Sequence, residues 1–137
     1  MNISARNQLS GKITSIEKGA VNTKVGVQLK EQSITSIITL SAVEDLALEV
    51  GSTVKAVIKS SSIMLLVGEA KISARNQLKG KVTAIEKGSV NSQITIDVDG
   101  QSVTSIVTIS AVEDLNLAVG SDVKVIIKSS SVMLMAE

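Results

Sequence analysis

The chain has 137 residues, of which 44% are hydrophobic and 20% are charged, and its formal net charge is +1. This balance is typical of a globular protein and excludes a disordered or strongly basic chain. His, Cys, Trp, Tyr and Phe are all absent, which removes the usual ligands of zinc, copper, haem and iron–sulfur clusters, the cysteine and serine–histidine nucleophiles, and any stacking surface for nucleic-acid bases.

The segment before Ser41 predicts three β-strands joined by tight turns. Leu9–Glu17 is the first strand, and Lys18-Gly19 begins the turn after it. Val21–Leu29 alternates with the period of a half-buried strand. A hairpin then leads into a β-branched third strand, Ser33–Leu40. The alternation of the second strand assigns one set of residues to its inner face: Val21, Thr23, Val25, Val27 and Leu29.

A short helix is predicted after the third strand. Ser41 to Glu44 fits a capping box, in which the serine hydroxyl and the glutamate carboxylate each bind a free N–H group at the start of a helix. Val43 and Leu46, with Leu48 as a further candidate, are predicted to supply its buried side, and Gly51 ends the segment.

Two further strands complete the unit. Thr53–Lys59 alternates again, and Ser62–Leu66 is predicted to close the sheet as a fifth strand. The order β-β-β-α-β-β predicts an all-β fold of the OB type, a five-stranded Greek-key barrel with one short helix between strands three and four.

The second half of the chain repeats the first without insertion or deletion. Ile3–Leu9 recurs letter for letter as Ile72–Leu78, and each copy carries one of the chain's two arginines, Arg6 and Arg75. Roughly 60% of aligned positions are identical, far above chance self-similarity. The repeat predicts two tandem domains, residues 1–68 and 69–137, and the junction lacks the composition of a flexible linker.

Size predicts that the protein associates with other copies. A repeat without aromatic residues has little apolar surface to bury, and domains below about 70–80 residues rarely gain more than a few kcal/mol from one core. Burial against other domains, within and between chains, is the expected remedy.

The sequence also predicts a cytoplasmic protein without a membrane partner. No apolar run is long enough to span a bilayer, the N-terminus lacks the regions of a signal peptide, and no Cys indicates export.

Three features, each present in both repeats, could hold an anion. They are the segment Ser4-Ala5-Arg6-Asn7, the connection Lys59-Ser60-Ser61-Ser62 and the turn Glu17–Asn22. A deprotonated tetrahedral oxyanion has only acceptors, so it needs N–H and O–H donors and a compensating cation. A Lys-Ser-Ser-Ser turn supplies a cation, hydroxyls and successive N–H groups.

Structural explanations compete with this one. A Lys-Ser-Ser turn is more often a solvated hairpin, and a Glu-Lys-Gly turn is less specific still. Recent duplication would preserve both without function. Ser-Ala-Arg-Asn-Gln-Leu is the stronger signal, because Arg-Asn-Gln is a poor way to begin a strand for stability alone.

The motifs together resemble the Mop domain of molybdate-binding proteins. They are Ser-Ala-Arg-Asn-Gln-Leu, Glu-Lys-Gly-x-Val-Asn, Ser-x-Val-Glu-Asp-Leu and Ile-Lys-Ser-Ser-x-Val/Ile-Met-Leu, and they cover the chain twice. This is the layout of the two-domain cytoplasmic molbindins. The resemblance implies OB-type domains, a homotrimer containing six of them, and molybdate or tungstate bound between domains and stored or buffered there.

The resemblance also implies the residues of the sites. The main sites would join the first segment of one domain to the Lys-Ser-Ser turn of another: Ser4, Ala5, Arg6, Asn7 with Lys59, Ser60, Ser61, and Ser73, Ala74, Arg75, Asn76 with Lys128, Ser129, Ser130. A second class of site near a symmetry axis has weaker candidates: Gly19, Val21, Asn22, Gly88, Val90 and Asn91. Neither a metal cation nor an organic cofactor is expected.

Other functions remain open at this stage. A nucleic-acid-binding OB module would need a basic face carrying aromatic residues, and the chain has neither. An enzyme would need a marked acid–base pair, which the sequence does not show. A purely structural barrel is the remaining alternative.

Overall fold

The structure, a computed structural model, describes residues 3–5 and 7–136 and contains two five-stranded antiparallel sheets. The elements of the first repeat are β1 (Asn7–Lys18), β2 (Asn22–Gln28), β3 (Ser33–Thr39), helix α1 (Leu40–Asp45), β4 (Thr53–Ile58), a 3-10 turn (Ser60–Ser62) and β5 (Met64–Leu66). Those of the second are β6 (Asn76–Lys87), β7 (Asn91–Val98), β8 (Gln101–Thr108), helix α2 (Ile109–Asp114), β9 (Asp122–Ile127), a 3-10 turn (Ser129–Ser131) and β10 (Met133–Ala136). The predicted element order and the OB-type fold are confirmed.

The fifth strands are exchanged between the repeats. The strand orders are β10-β4-β1-β2-β3 and β5-β9-β6-β7-β8, with Met133 opposite Val57 and Met64 opposite Ile126. The prediction that Ser62–Leu66 closes its own barrel is therefore wrong. The two repeats offer nearly identical partner strands, so the sequence pattern defines the strand but not which copy it joins.

The aliphatic core is continuous across both repeats. Its buried members come from both sheets and include Leu9, Val25, Ile58, Leu78 and Ile127. The predicted alternation of β2 holds from Thr23 onwards, but Val21 and its counterpart Val90 are each 69% exposed, because they lie in the turns before β2 and β7.

The helix caps differ from the prediction. Helix α1 begins at Leu40, and the Thr39 hydroxyl accepts a hydrogen bond from the Ala42 N–H at 3.2 Å. Ser41 lies inside the first turn and is not the cap. Leu46, predicted to be buried, follows the helix and is 40% exposed. Val43 and Leu48 are buried, as predicted.

Reciprocal hydrogen bonds join the two repeats. The Gln101 side chain donates to the Ser10 carbonyl at 3.1 Å and accepts from the Ser10 N–H at 2.9 Å. Gln32 forms the matching pair with the Lys79 backbone at 3.0 and 2.7 Å. These bonds and the exchanged strands hold the repeats in a fixed relation, as the rigid junction predicted.

Helices long and apolar enough to cross a membrane are absent from the described part of the chain, where each α-helix has six residues.

Candidate functional site: two donor-lined cavities

The first cavity lies where β1 begins and β4 ends. Asn7 pairs with Ile58 across these antiparallel strands, so the residues before β1 lie beside those after β4. The cavity has a volume of about 440 Å³. Its lining consists of Ile3, Ser4, Ala5, Lys59, Ser60, Ser61, Ile106 and Met133. Antiparallel pairing thus brings two of the predicted segments together.

The second repeat forms the equivalent cavity. Asn76 pairs with Ile127, and the cavity between the two strand ends has a volume of about 340 Å³. It is lined by Ile37, Met64, Ile72, Ser73, Ala74, Arg75, Lys128, Ser129 and Ser130. Arg75 therefore lies at this cavity, whereas Arg6 lies outside the described residues.

Each cavity has a polar side and an apolar side that come from different repeats. The resemblance implied that the first segment and the Lys-Ser-Ser turn belong to different domains. Within the single chain, the segment and the turn of the same repeat lie side by side, because β1 and β4 are neighbours, and the other repeat supplies an apolar wall. The implied pairing between domains of different chains stays a prediction. Ile106 and Met133 form that wall in the first cavity, and Ile37 and Met64 in the second. Sequence reasoning missed these four residues, because they are placed by exchanged strands and edge strands whose pairing was not predictable.

Two buried hydroxyls mark the cavities. Ser60 and Ser129 are only 6% and 5% exposed, and their Oγ atoms have no hydrogen-bond partner among the described residues. A buried hydroxyl without a partner costs about 1–3 kcal/mol. Each serine is a lining residue of its cavity, and its Oγ atom has almost no surface open to solvent in the single chain.

The charge of the cavities favours an anion. Lys59 and Lys128 stand at the entrance of the 3-10 turns, and neither cavity has a carboxylate among its described lining residues. The first N–H groups of such a turn have no partner within it. The residues around each cavity therefore carry ammonium, hydroxyl and N–H groups, all of which can donate hydrogen bonds.

Asn7 and Asn76 differ from the other predicted site residues. They are 1% and 3% exposed, and they are not among the described residues that line the cavities. Each side chain instead binds the backbone of the other repeat, Asn7 at Thr104 and Asn76 at Thr35.

The weaker candidates lie at the opposite ends of β1 and β6. The N–H groups of Gly19 and Gly88 donate to the carbonyls of Asn22 and Asn91 at 2.8 Å, which closes both turns. In the second repeat this turn borders a pocket of about 320 Å³. Its lining is Glu86, Lys87, Gly88, Asn91, Ser92, Gln93 and Ile106.

These turns offer a mixed environment to an anion. The Ser92 hydroxyl, like that of Thr23 in the first repeat, is buried without a described hydrogen-bond partner. However, the Glu86 carboxylate lines the same pocket as Ser92, and a carboxylate opposes a bound anion. Val21 and Val90 point into solvent.

The fold and the site define a class of protein: tandem OB-type barrels, each with a cavity that combines a lysine and serines with an apolar wall and has no carboxylate among its described lining residues. The family model described as the TOBE domain matches residues 3–65 and 72–134. The chain belongs to this family. A binding rather than a catalytic role, predicted from the sequence, agrees with this membership.

Individual relatives and a solved structure support the assignment. The chain is 36% identical to the cytoplasmic molybdate-binding protein ModG, solved with molybdate bound, with a TM-score of 0.95 and 100% of both chains covered. The molybdenum transport protein ModE of Azotobacter vinelandii is 42% identical over 98% of this chain and 51% of its own length. A probable molybdenum-pterin-binding protein of Haemophilus influenzae is 56% identical over 49% of this chain and 99% of its own length.

The resemblance to tandem Mop-domain proteins is confirmed by these matches. The chain spans about half the length of the ModE relative. The similarity to ModG, in contrast, extends over both whole chains.

Proposed function

We propose that this protein binds molybdate, and also tungstate, in its two donor-lined cavities, and thereby stores or buffers the oxyanion in the cytoplasm. The observation that carries the proposal is the pair of buried, unpartnered hydroxyls of Ser60 and Ser129 beside Lys59 and Lys128. The likeness to ModG over the whole chain supports the choice of ligand.

The chemistry of the cavities suits a fully deprotonated oxyanion. Such an anion accepts hydrogen bonds at every oxygen, and hydrogen bonds to charged groups contribute about 1.5–3 kcal/mol. The serine hydroxyls and N–H groups donate, while Lys59 or Lys128 offsets the negative charge. Phosphate at neutral pH still carries a proton part of the time, and that proton would meet no carboxylate or other marked acceptor. Sulfate is also a pure acceptor, but it is smaller than molybdate and tungstate. Binding affinity should therefore be highest for molybdate and tungstate, well below them for sulfate, and lowest for phosphate.

The proposed assembly is a homotrimer containing six domains. Val21, Val50, Val90 and Val119 are each more than 60% exposed in the single chain, and contact with other copies would cover such side chains. In this assembly, the turns at Gly19, Val21 and Asn22 and at Gly88, Val90 and Asn91 are proposed as a second class of oxyanion site. The unpartnered hydroxyls of Thr23 and Ser92 support that assignment.

Native mass spectrometry with and without molybdate tests the proposal, because it reports chain number and ion number together. We expect three chains per particle and added mass from bound molybdate. Competition calorimetry then ranks the four anions. Absence of molybdate binding would overturn the function, and a stable monomer that still binds molybdate would overturn the trimeric assembly.

A further inference from the structure

Two buried asparagines connect each cavity to the opposite repeat. The Asn7 amide donates to the Thr104 carbonyl at 2.8 Å and accepts from the Thr104 N–H at 2.7 Å. Asn76 makes the same pair of bonds with Thr35, again at 2.8 and 2.7 Å. Because both polar ends of each amide are engaged and the side chains are almost fully buried, these amides are not presented to a ligand in the cavity.

The bonds are made to edge strands. β3 and β8 are the last strands of their sheets, so alternate N–H and C=O groups on their outer sides lack a neighbouring strand. The asparagine amide supplies a donor and an acceptor at the spacing of a peptide group, and thus takes the place of a strand residue. It fixes the edge strand of one repeat against the beginning of β1 or β6 in the other.

The threonine that each asparagine binds lies two residues before a residue of the apolar cavity wall. Thr104 precedes Ile106, which lines the first cavity, and Thr35 precedes Ile37, which lines the second. Residues two apart in a strand lie on the same face. The distance between the apolar wall and the donor side of each cavity is therefore set through Asn7 and Asn76.

We propose that Asn7 and Asn76 are positioning residues rather than ligands, and that they hold the wall at the distance that fits a large tetrahedral oxyanion. This inference rests on the proposed function. A large dianion such as molybdate reaches both the donors and the wall. A smaller dianion such as sulfate binds the donors without reaching the wall. The asparagines thereby determine selectivity by size.

The test compares three variants in a Lys128→Ala background, which weakens the second cavity so that the first is measured. Asn7→Ala removes the amide, and Thr104→Pro keeps the amide but removes, together with the threonine side chain, the N–H that donates to the amide oxygen, at an edge position where proline is tolerated. Gln101→Ala is the matched control, because it removes an equally reciprocal bond between the same two strands, at Ser10, away from the cavity.

Calorimetry with molybdate and with sulfate is the measurement, and circular dichroism checks that each variant is folded. We expect Asn7→Ala and Thr104→Pro to weaken molybdate about fivefold, the equivalent of one neutral hydrogen bond, and to change sulfate by less than about twofold. Gln101→Ala should leave both affinities unchanged. If Asn7→Ala fails to fold, Thr104→Pro carries the test.

Three results would overturn the inference. An equal loss for both anions in Asn7→Ala, with no effect of Thr104→Pro, would make Asn7 a ligand. An equal loss of selectivity in Gln101→Ala would mean that any loosening between the repeats acts in the same way. Unchanged selectivity in all variants would remove the role. If the Lys128→Ala protein binds neither anion, the proposed function itself fails, which is a separate outcome.

Discussion

The two repeats are nearly the same at the cavities and different at the β2–β3 and β7–β8 hairpins. The segments that form the donor side are identical, from Ser4–Asn7 with Ser73–Asn76 to Lys59–Ser62 with Lys128–Ser131. In contrast, every position of Thr23–Glu31 differs from its counterpart in Ser92–Gly100. β2 and β7 keep the same alternation of buried positions with different residues. The donor segments keep identical residues. A strand needs only the alternation, whereas a donor set needs particular atoms.

The hairpin difference breaks the symmetry between the repeats. In the second repeat, Asp99 and Gly100 form the turn with φ of +53° and +82°, and the Asp99 carboxylate accepts bonds from the N–H groups of Glu31 and Gln32 at 2.9 and 2.7 Å. The first repeat has Lys30 at the position of Asp99. The second hairpin turn therefore binds the first through the Asp99 carboxylate. The described residues show no carboxylate of the first turn that binds the second in the same way.

The largest expected effect is on molybdate affinity, and it comes from substitutions in the donor segments that are identical in the two repeats. Lys59→Ala should weaken the first cavity by about 1.5–3 kcal/mol, which is roughly tenfold to a hundredfold in affinity, and leave the second near normal. Lys128→Ala should do the reverse, because each lysine lines a different cavity. Titration of the single and double variants with molybdate measures this. Unchanged affinity in the double variant would move the main site to the Gly19 and Gly88 turns.

A smaller effect on affinity is expected from the buried serines, with an opposite effect on stability. Ser60→Ala should reduce molybdate affinity about fivefold, because one donor is lost while neighbouring N–H groups remain. The ligand-free protein should be no less stable, since a buried hydroxyl without a partner is removed. Calorimetry and thermal unfolding without ligand give the two readouts.

Thr23→Val is the matched control for Ser60→Ala. It also removes a buried, unpartnered hydroxyl, but one that lies away from the main cavities. It should leave main-site affinity unchanged. Equal losses in both variants would show that the hydroxyl of Ser60 has no special relation to the ligand.

The asymmetric hairpin predicts a dependence on pH. Burial alone would raise the pKa of the Asp99 carboxyl, but hydrogen bonds from Gln32 and Glu31 hold this pKa below its ordinary value of 3.8. The folded-state pKa is thus depressed, so the stabilisation is present above the ordinary pKa and is lost as pH falls through the folded-state value.

Asp99→Asn should lower the free energy of unfolding by about 1 kcal/mol at neutral pH. The difference from the unchanged protein should shrink as pH falls below the ordinary pKa of 3.8. Urea unfolding at fixed protein concentration measures both, and Asp97→Asn on an exposed position of β7 is the control. A difference that stays constant with pH would contradict the role of the charge.

The smallest expected effect is on stability, and it comes from substitutions that make the first hairpin turn like the second. Lys30→Asp combined with Glu31→Gly copies the second hairpin into the first, and should add a few tenths of a kcal/mol, up to about 1 kcal/mol, by forming the missing contact with the second repeat. Thermal unfolding measures the gain. A loss of stability would show that the first turn cannot adopt the positive φ angles of the second.

Much of the fold was predictable because it depends on local pattern. The alternation in β2 and in β4 identified the strands, and the short helix was found between strands three and four. The cap was misplaced because Thr39 lies at the end of the preceding strand, where its side chain was read as part of that strand. The exchanged strands were not predictable, because the two possible partners, β4 and β9, have the same pattern of buried positions.

The site was predictable in its donors and not in its surroundings. Ser4, Lys59 and Ser60 were predicted through the resemblance to Mop domains, and all three line the first cavity. The wall residues of that cavity, Ile106 and Met133, belong to the other repeat, and the residues around them in the sequence give no indication of the cavity. Asn7 was predicted as a ligand because the resemblance to Mop domains implied the whole segment Ser4–Asn7, whereas its burial and its bonds to an edge strand are visible only in three dimensions.

The exchanged fifth strands also have a consequence for assembly at low concentration. A half chain containing one repeat would have a four-stranded sheet and a loose fifth strand, and it could complete its barrel in the same way only by meeting another half. Joining the halves through Val67–Lys71 makes this encounter intramolecular, so it no longer depends on the protein concentration. The paired barrels of this chain should therefore persist on dilution to protein concentrations at which two separate half chains would dissociate.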